Sequence, residues 1–167
     1  MDMNKLQEKY QKLLSYLKEL DSVAIAFSGG VDSTFLLAAA KEALGDKVIA
    51  LTAKSCLFPE RESGEAKDFC KNLGVEQIVL DLGDTELPAF KHNPPNRCYI
   101  CKKGLFEKFL QKAQEFGIKG TIIPDLPYEM AQNFEELFKK YNKANISFVA
   151  PTDSEERIKQ IVTDSQK

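Results

Sequence analysis

One stretch limits the fold more than any other: Val23-Ala24-Ile25-Ala26-Phe27, followed by Ser28-Gly29-Gly30-Val31-Asp32-Ser33-Thr34. Five consecutive apolar residues suit a strand covered on both faces. Gly29 and Gly30 permit positive φ and let backbone N–H groups come close to a ligand. Phe35-Leu36-Leu37-Ala38-Ala39-Ala40 then continues as an apolar helix to about Leu44, where Gly45-Asp46 supplies a stop. A helix N-terminus carries unpaired N–H donors and the positive end of the dipole, so this turn is an anion site by construction. Ser28, Ser33 and Thr34 add hydroxyls around it. Neither GxGxxG nor GxxxxGK(S/T) occurs here, which separates the turn from the dinucleotide fingerprint and the Walker loop.

The remaining chain repeats this alternation. Residues 4–20 predict a helix with Leu6, Tyr10, Leu13, Leu14 and Leu17 on one stripe. Further strands are expected at 47–54, 75–80, 120–123 and 146–150, and helices at 60–73, 100–116, 128–141 and after Pro151. Met130, Phe134, Leu137 and Phe138 mark the buried stripe of the 128–141 helix, and Ile158, Ile161 and Val162 that of the last one. Residues 81–96, rich in Pro, Asn and Asp, read as a long loop. Right-handed crossovers fold such a series into a doubly wound, three-layer parallel sheet. The expected strand order is 3-2-1-4-5, with a nucleotide site at the switch between strands 1 and 4. At 167 residues the chain suits a single α/β domain.

A net charge of −2 disfavours a broad nucleic-acid face. No run of 18 apolar residues and no leader pattern occurs, so a cytoplasmic protein with no membrane partner is expected. Four cysteines in a chain of this length do not make a disulfide scaffold.

Ser28-Gly29-Gly30-Val31-Asp32-Ser33 resembles the SGGxDS motif of the PP-loop ATP pyrophosphatases. The resemblance implies that Ser28, Gly29, Gly30, Val31, Asp32, Ser33 and Thr34 cradle the β- and γ-phosphates of ATP. The α-phosphorus is then open to a substrate oxygen, and Mg²⁺ offsets the charge of the leaving pyrophosphate. Asp32 is the carboxylate placed for a magnesium or loop-ordering role. It is equally a first-turn acid of the kind the helix dipole favours.

Phe58-Pro59-Glu60-Arg61-Glu62 and Asn93-Pro94-Pro95-Asn96-Arg97-Cys98-Tyr99-Ile100-Cys101-Lys102 narrow the resemblance. With the turn, they are similar to the ATP-dependent sulfur transferases that build the nickel-pincer nucleotide cofactor, over about residues 1–118. That family implies adenylation of a small carboxylate nucleotide and sulfur transfer from a protein cysteine or from a sulfide on an iron–sulfur cluster. It also implies a phosphate contact for Lys102. Cys98 and Cys101 have the spacing of metal ligands, of a redox pair, or of two unrelated thiols near a helix start. No cysteine follows Cys101, where cluster-bearing members carry a third. Cys56 could stand in only if the fold brings it near. Cys70, on a stripe with Ala66, Phe69 and Leu73, reads as core, and His92 as a solvated loop residue.

The last third departs from that family. Gly120-Thr121-Ile122-Ile123-Pro124-Asp125-Leu126-Pro127-Tyr128-Glu129, Phe148-Val149-Ala150-Pro151-Thr152 and Glu155-Glu156-Arg157-Ile158 resemble the tryptophan synthase α-subunit over about 104–167. That resemblance implies a βαβα piece of a TIM barrel without the barrel's catalytic acids. Asp125 ends a strand on the ligand edge, as a Pro-Asp turn also would. The chain thus reads as a natural or engineered chimera, with a PP-loop part at 1–118 and a barrel-derived part at 119–167 completing the sheet. The expected function is ATP binding of adenylating, sulfur-transferase ancestry, with turnover reduced or lost. The alternative is a stable scaffold without turnover. A tRNA-thiolating enzyme fits the acidic balance poorly, and self-association is compatible with all of these readings.

Overall fold

The computed structural model describes residues 3–54, 60–81, 97–124, 126, 128–150 and 152–165, without the side chains of 60–63, 81, 97, 98, 101 and 165. Helix α1 (Met3–Glu19) leads into strand β1 (Val23–Ala26) and helix α2 (Val31–Leu44). Strand β2 (Val48–Lys54), helix α3 (Glu60–Leu73), strand β3 (Glu76–Asp81) and helix α4 (Arg97–Glu115) follow. Strand β4 (Gly120–Ile122) precedes α5 (Tyr128–Ala131), a 3₁₀ turn (Gln132–Phe134) and α6 (Glu135–Lys140). Strand β5 (Ala144–Ile146) and helix α7 (Glu155–Ser165) complete the series.

The five strands pair in the order β3-β2-β1-β4-β5, every neighbour parallel, as the sequence pattern requires. Alternate residues of each strand face opposite layers. Val23, Ile25, Phe27, Val48 and Ala50 pack under α1, α2 and α3, with Leu14, Leu17, Leu37 and Ala66. Ala24, Ile49, Leu51 and Leu80 pack under α4 and α6, with Phe106, Phe109, Leu110 and Phe138. This two-sided burial explains why β1 and β2 read as unbroken apolar runs.

The N-terminal ends of the strands are pinned by polar contacts. Asp21, in a left-handed conformation with φ 66°, accepts hydrogen bonds from Lys47 Nζ at 2.6 Å and Lys119 Nζ at 2.8 Å. Those two ammonium groups hold its carboxyl at about 2, below the ordinary 3.8. Ser22 Oγ accepts from Lys119 N at 3.2 Å, which joins the start of β4 to β1.

Three expectations need correction. The fifth strand is Ala144–Ile146, not 146–150. Its register is set by β4, which offers three residues (Gly120↔Ala144, Thr121↔Asn145, Ile122↔Ile146) before the chain turns at Pro124. The apolar residues Phe148 and Val149 therefore lie beyond the ladder and are exposed. The helix expected over 128–141 is broken by the 3₁₀ turn, where Phe134 enters the core between Tyr99 and Phe106. Val162 belongs to the exposed side of α7, while Ile161 is buried. The loop expected at 81–96 lies outside the described residues from 82 onward.

Candidate phosphate-binding site

β1 stops making ladder bonds where the chain must turn. Phe27 N donates to Leu51 O at 2.9 Å, the last such bond on the β2 side. Gly29 then takes φ 82°, a conformation that L side chains rarely adopt. A Cβ built on Gly29 would stand 3.6 Å from Ala66 Cβ, so α3 closes directly over the turn. Gly30 is the N-cap residue of α2, and no side chain caps that helix. Its first-turn N–H groups are therefore not covered by the usual Ser, Thr or Asp oxygen.

The hydroxyls divide their work. Ser33 is buried, and its Oγ donates to Gly30 O at 3.0 Å while lying 3.3 Å from Ser28 Oγ. Gly30 N donates to Ser28 Oγ at 3.4 Å, and Thr34 Oγ1 donates to Gly29 O at 3.4 Å. The turn is thus braced from within by Ser33, while Ser28 and Thr34 sit at the surface of the cradle. Val31 and Asp32 are exposed in the first turn of α2.

An open pocket of about 500 Å³ lies against this turn, lined by Phe27, Ser28, Gly29, Gly30, Thr34, Glu65, Ala66 and Phe69. That size is within the range of small-molecule sites. Four of the seven residues expected to hold phosphate line it. Sequence reading missed the facing wall, Glu65, Ala66 and Phe69 of α3. Their spacing of one and four along a helix was the available signal, but it is the same signal that a core stripe gives. Phe69 also stacks on Phe27, with ring centroids 5.9 Å apart.

The other expected site residues lie elsewhere. Lys102, on α4, is half-buried with Nζ 3.6 Å from Met130 Sδ, and it does not line this pocket. Cys98 and Cys101 stand one turn apart on α4, which begins at Arg97 rather than Ile100. Cys70 is core, as its stripe predicts; burial pushes its thiol up to about 11. It packs in the α1–α3 layer, across the sheet from α4, and so cannot complete a metal set with Cys98 and Cys101. Among the described residues no group of three His, Cys, Asp or Glu side chains could hold a metal ion. Cys56, His92 and Asp125 lie outside the described residues. No described helix is long and apolar enough to cross a membrane.

Comparison with known proteins finds two families along the chain. The tryptophan synthase alpha chain family matches residues 98–167. The pyridinium-3,5-bisthiocarboxylic acid mononucleotide synthase of Lactiplantibacillus plantarum is 38% identical over 119 residues, 69% of this chain and 42% of that protein. The tryptophan synthase alpha chain of Alkaliphilus metalliredigens is 33% identical over 174 positions, 98% of this chain and 64% of that one. The chain thus spans less than two thirds of either relative. Among solved structures, the NH3-dependent NAD synthetase of Campylobacter jejuni superposes with a TM-score of 0.63 at 17% identity, covering 100% of this chain and 86% of its own. That likeness shows the same fold. The NAD synthase family matches residues 3–105, more than half of the chain and all of the strand–turn–helix unit around the pocket, so the chain belongs to the NAD synthase family of PP-loop proteins, with sulfur-transferase relatives.

Proposed function

We propose that this chain binds ATP through its PP-loop and descends from adenylating sulfur transferases, with turnover reduced or lost. The observation that carries the reading is the uncapped N-terminus of α2 opening with Gly29 and Gly30 onto the pocket. Unpaired N–H donors, a positive dipole end and exposed hydroxyls are the chemistry that a polyphosphate requires. Ser28, Gly29, Gly30 and Thr34 hold the β- and γ-phosphates, Val31 contributes its backbone N–H, and Ser33 keeps the turn in shape. Asp32 is the carboxylate available for Mg²⁺, which supplies charge neutralisation for departing pyrophosphate.

In an active form, a carboxylate oxygen of a small nucleotide substrate would attack the α-phosphorus, giving an acyl adenylate and pyrophosphate. Lys102 would meet a phosphate only by leaving Met130, and Cys98 and Cys101 would hold a metal only with a further ligand. The position of Lys102 supports binding without efficient turnover. The proposed arrangement is one α/β domain (1–167) in which a PP-loop part (1–118) is completed by a barrel-derived part (119–167). The two family matches overlap at 98–105, so both cover the first half of α4, the helix that leads to this boundary. A stable scaffold without any ligand is the alternative.

Calorimetry and thermal melts with Mg-ATP separate these readings, because a ligand of the native state raises its stability. Saturable binding with little pyrophosphate release is expected. Gly29→Val should abolish binding, since it places a branched side chain at φ 82° against Ala66. No binding at millimolar Mg-ATP would sink the reading. Rapid pyrophosphate release would overturn the loss of turnover.

A further inference from the structure

The residue that aims the cradle is not in it. Thr52, in β2, is buried, and its Oγ1 donates to the carbonyl oxygen of Phe27 at 3.0 Å. The same hydroxyl accepts from Gln77 Nε2, in β3, at 2.9 Å. A chain of two hydrogen bonds therefore runs across three strands, β3 to β2 to β1, and ends on the last peptide before Ser28. Both of the hydroxyl's roles, donor and acceptor, are used, so the direction of its proton is set by Gln77.

This contact stands where the backbone ladder gives out. Phe27 N is still bonded to Leu51 O, while its carbonyl is met by a side chain. A trans peptide is planar, with its C=O and N–H on opposite sides of the C–N bond. Holding the Phe27 carbonyl toward β2 turns the Ser28 N–H away from β2, toward the crevice between β1 and β4. That crevice is the switch point at which open α/β sheets take their ligands. The next residue, Gly29, has the freedom of φ 82°, so without the anchor the Phe27–Ser28 peptide could rotate against a soft neighbour.

We propose that Thr52, oriented by Gln77, is a positioning residue for the phosphate cradle: it fixes the Phe27–Ser28 peptide and so sets the Ser28–Gly30 turn that lines the pocket. The proposal rests on the ATP-binding reading for its ligand, but its structural part can be read in the ligand-free chain. A buried hydroxyl that only filled space would be replaced by valine without effect on the turn.

The test uses Thr52→Val, Thr52→Ser and Gln77→Leu in the full chain, at a temperature where each is folded. Mg-ATP and pyrophosphate affinities are measured by calorimetry, and the Ser28 and Gly29 amides are followed by ¹⁵N NMR without ligand. Thr52→Val should weaken both ligands about tenfold and shift the Ser28 amide. Thr52→Ser, which keeps the hydroxyl, should restore both readouts to within about threefold of the parent. Gln77→Leu should fall between the two, and it replaces Thr52→Val as the test if the valine chain does not fold. Unchanged affinity and an unmoved Ser28 amide in Thr52→Val would overturn the proposal. If the parent binds neither ligand, the ATP-binding reading fails. The amide then decides the positioning role alone: a shift reversed by serine supports it, and no shift rejects it.

Discussion

The two halves of the sheet are built differently. β1 and β2 are buried on both faces and carry the cradle at the end of β1. β4 and β5 offer three residues each, and β5 is partly exposed. The second half buries Ile122, Ile123, Leu126, Leu137 and Phe138 against the sheet, and adds an aromatic anchor and a set of polar contacts. Phe134 stacks on Tyr99 at 5.3 Å and meets the edge of Phe106 at 4.9 Å. Tyr128, on α5, donates its hydroxyl to Asp164 of α7 and accepts from Gln132 Nε2 at 2.8 Å. Arg157 pairs with Glu129 at 3.1 Å, and Thr121 Oγ1 donates to Ala144 O at 2.9 Å. Burial holds both halves, and the second depends in addition on these directional groups being in place.

Phe134→Ala should be the most damaging substitution, costing about 4 kcal/mol, because it empties the junction of α4 with the 3₁₀ turn. Hydrogen exchange should rise first across residues 120–165 while β1–β3 amides stay protected. Uniform loss of protection would show that the halves are one cooperative unit. Leu37→Ala, fully buried under β1, should cost about 3 kcal/mol and lower the protection of both halves together. Tyr128→Phe removes the hydroxyl shared by Asp164 and Gln132, and should loosen α7 with a smaller fall in Tm than either truncation. A melt equal to the parent's would mean that Ile161 and the Arg157–Glu129 pair keep α7 docked without that hydroxyl.

Asp21→Asn has the smallest expected effect and reports on the seam between the halves, since Lys47 precedes β2 and Lys119 precedes β4. The folded carboxyl titrates at about 2, below its ordinary 3.8. Its contribution is therefore complete above about pH 4 and is lost as the pH falls toward 2. Asparagine tolerates positive φ, so the variant keeps the backbone and should flatten the acid limb of a stability–pH curve. An unchanged acid limb would remove Asp21 from the account of that seam.

What the sequence disclosed follows the same division. The β1–turn–α2 unit was legible because its chemistry is local: one apolar run, two glycines and hydroxyls within a dozen residues. Strand order followed from right-handed crossovers. Thr52 and Gln77 were not legible, because each finds its partner on a strand 25 residues away and neither type is unusual in a strand. β5 was misplaced by following hydrophobicity, when a short partner strand set the register. The motif implies a phosphate contact for Lys102, whereas its neighbour Met130, 28 residues on, gives no sign in the sequence of lying beside that ammonium.

Gly30 has a consequence for anyone who tries to make this protein hardier. Its φ of −69° suits any amino acid, and an added Cβ would come only to 3.4 Å from Ser28 Oγ. Replacing it by aspartate would cap α2, a gain of about a few tenths of a kcal/mol over glycine, and complement its dipole for about 0.3–1 kcal/mol more. A screen for heat resistance would therefore reward that substitution early. The same carboxylate would occupy the N–H donors and repel an anion, so at this position improvement and ligand binding are mutually exclusive.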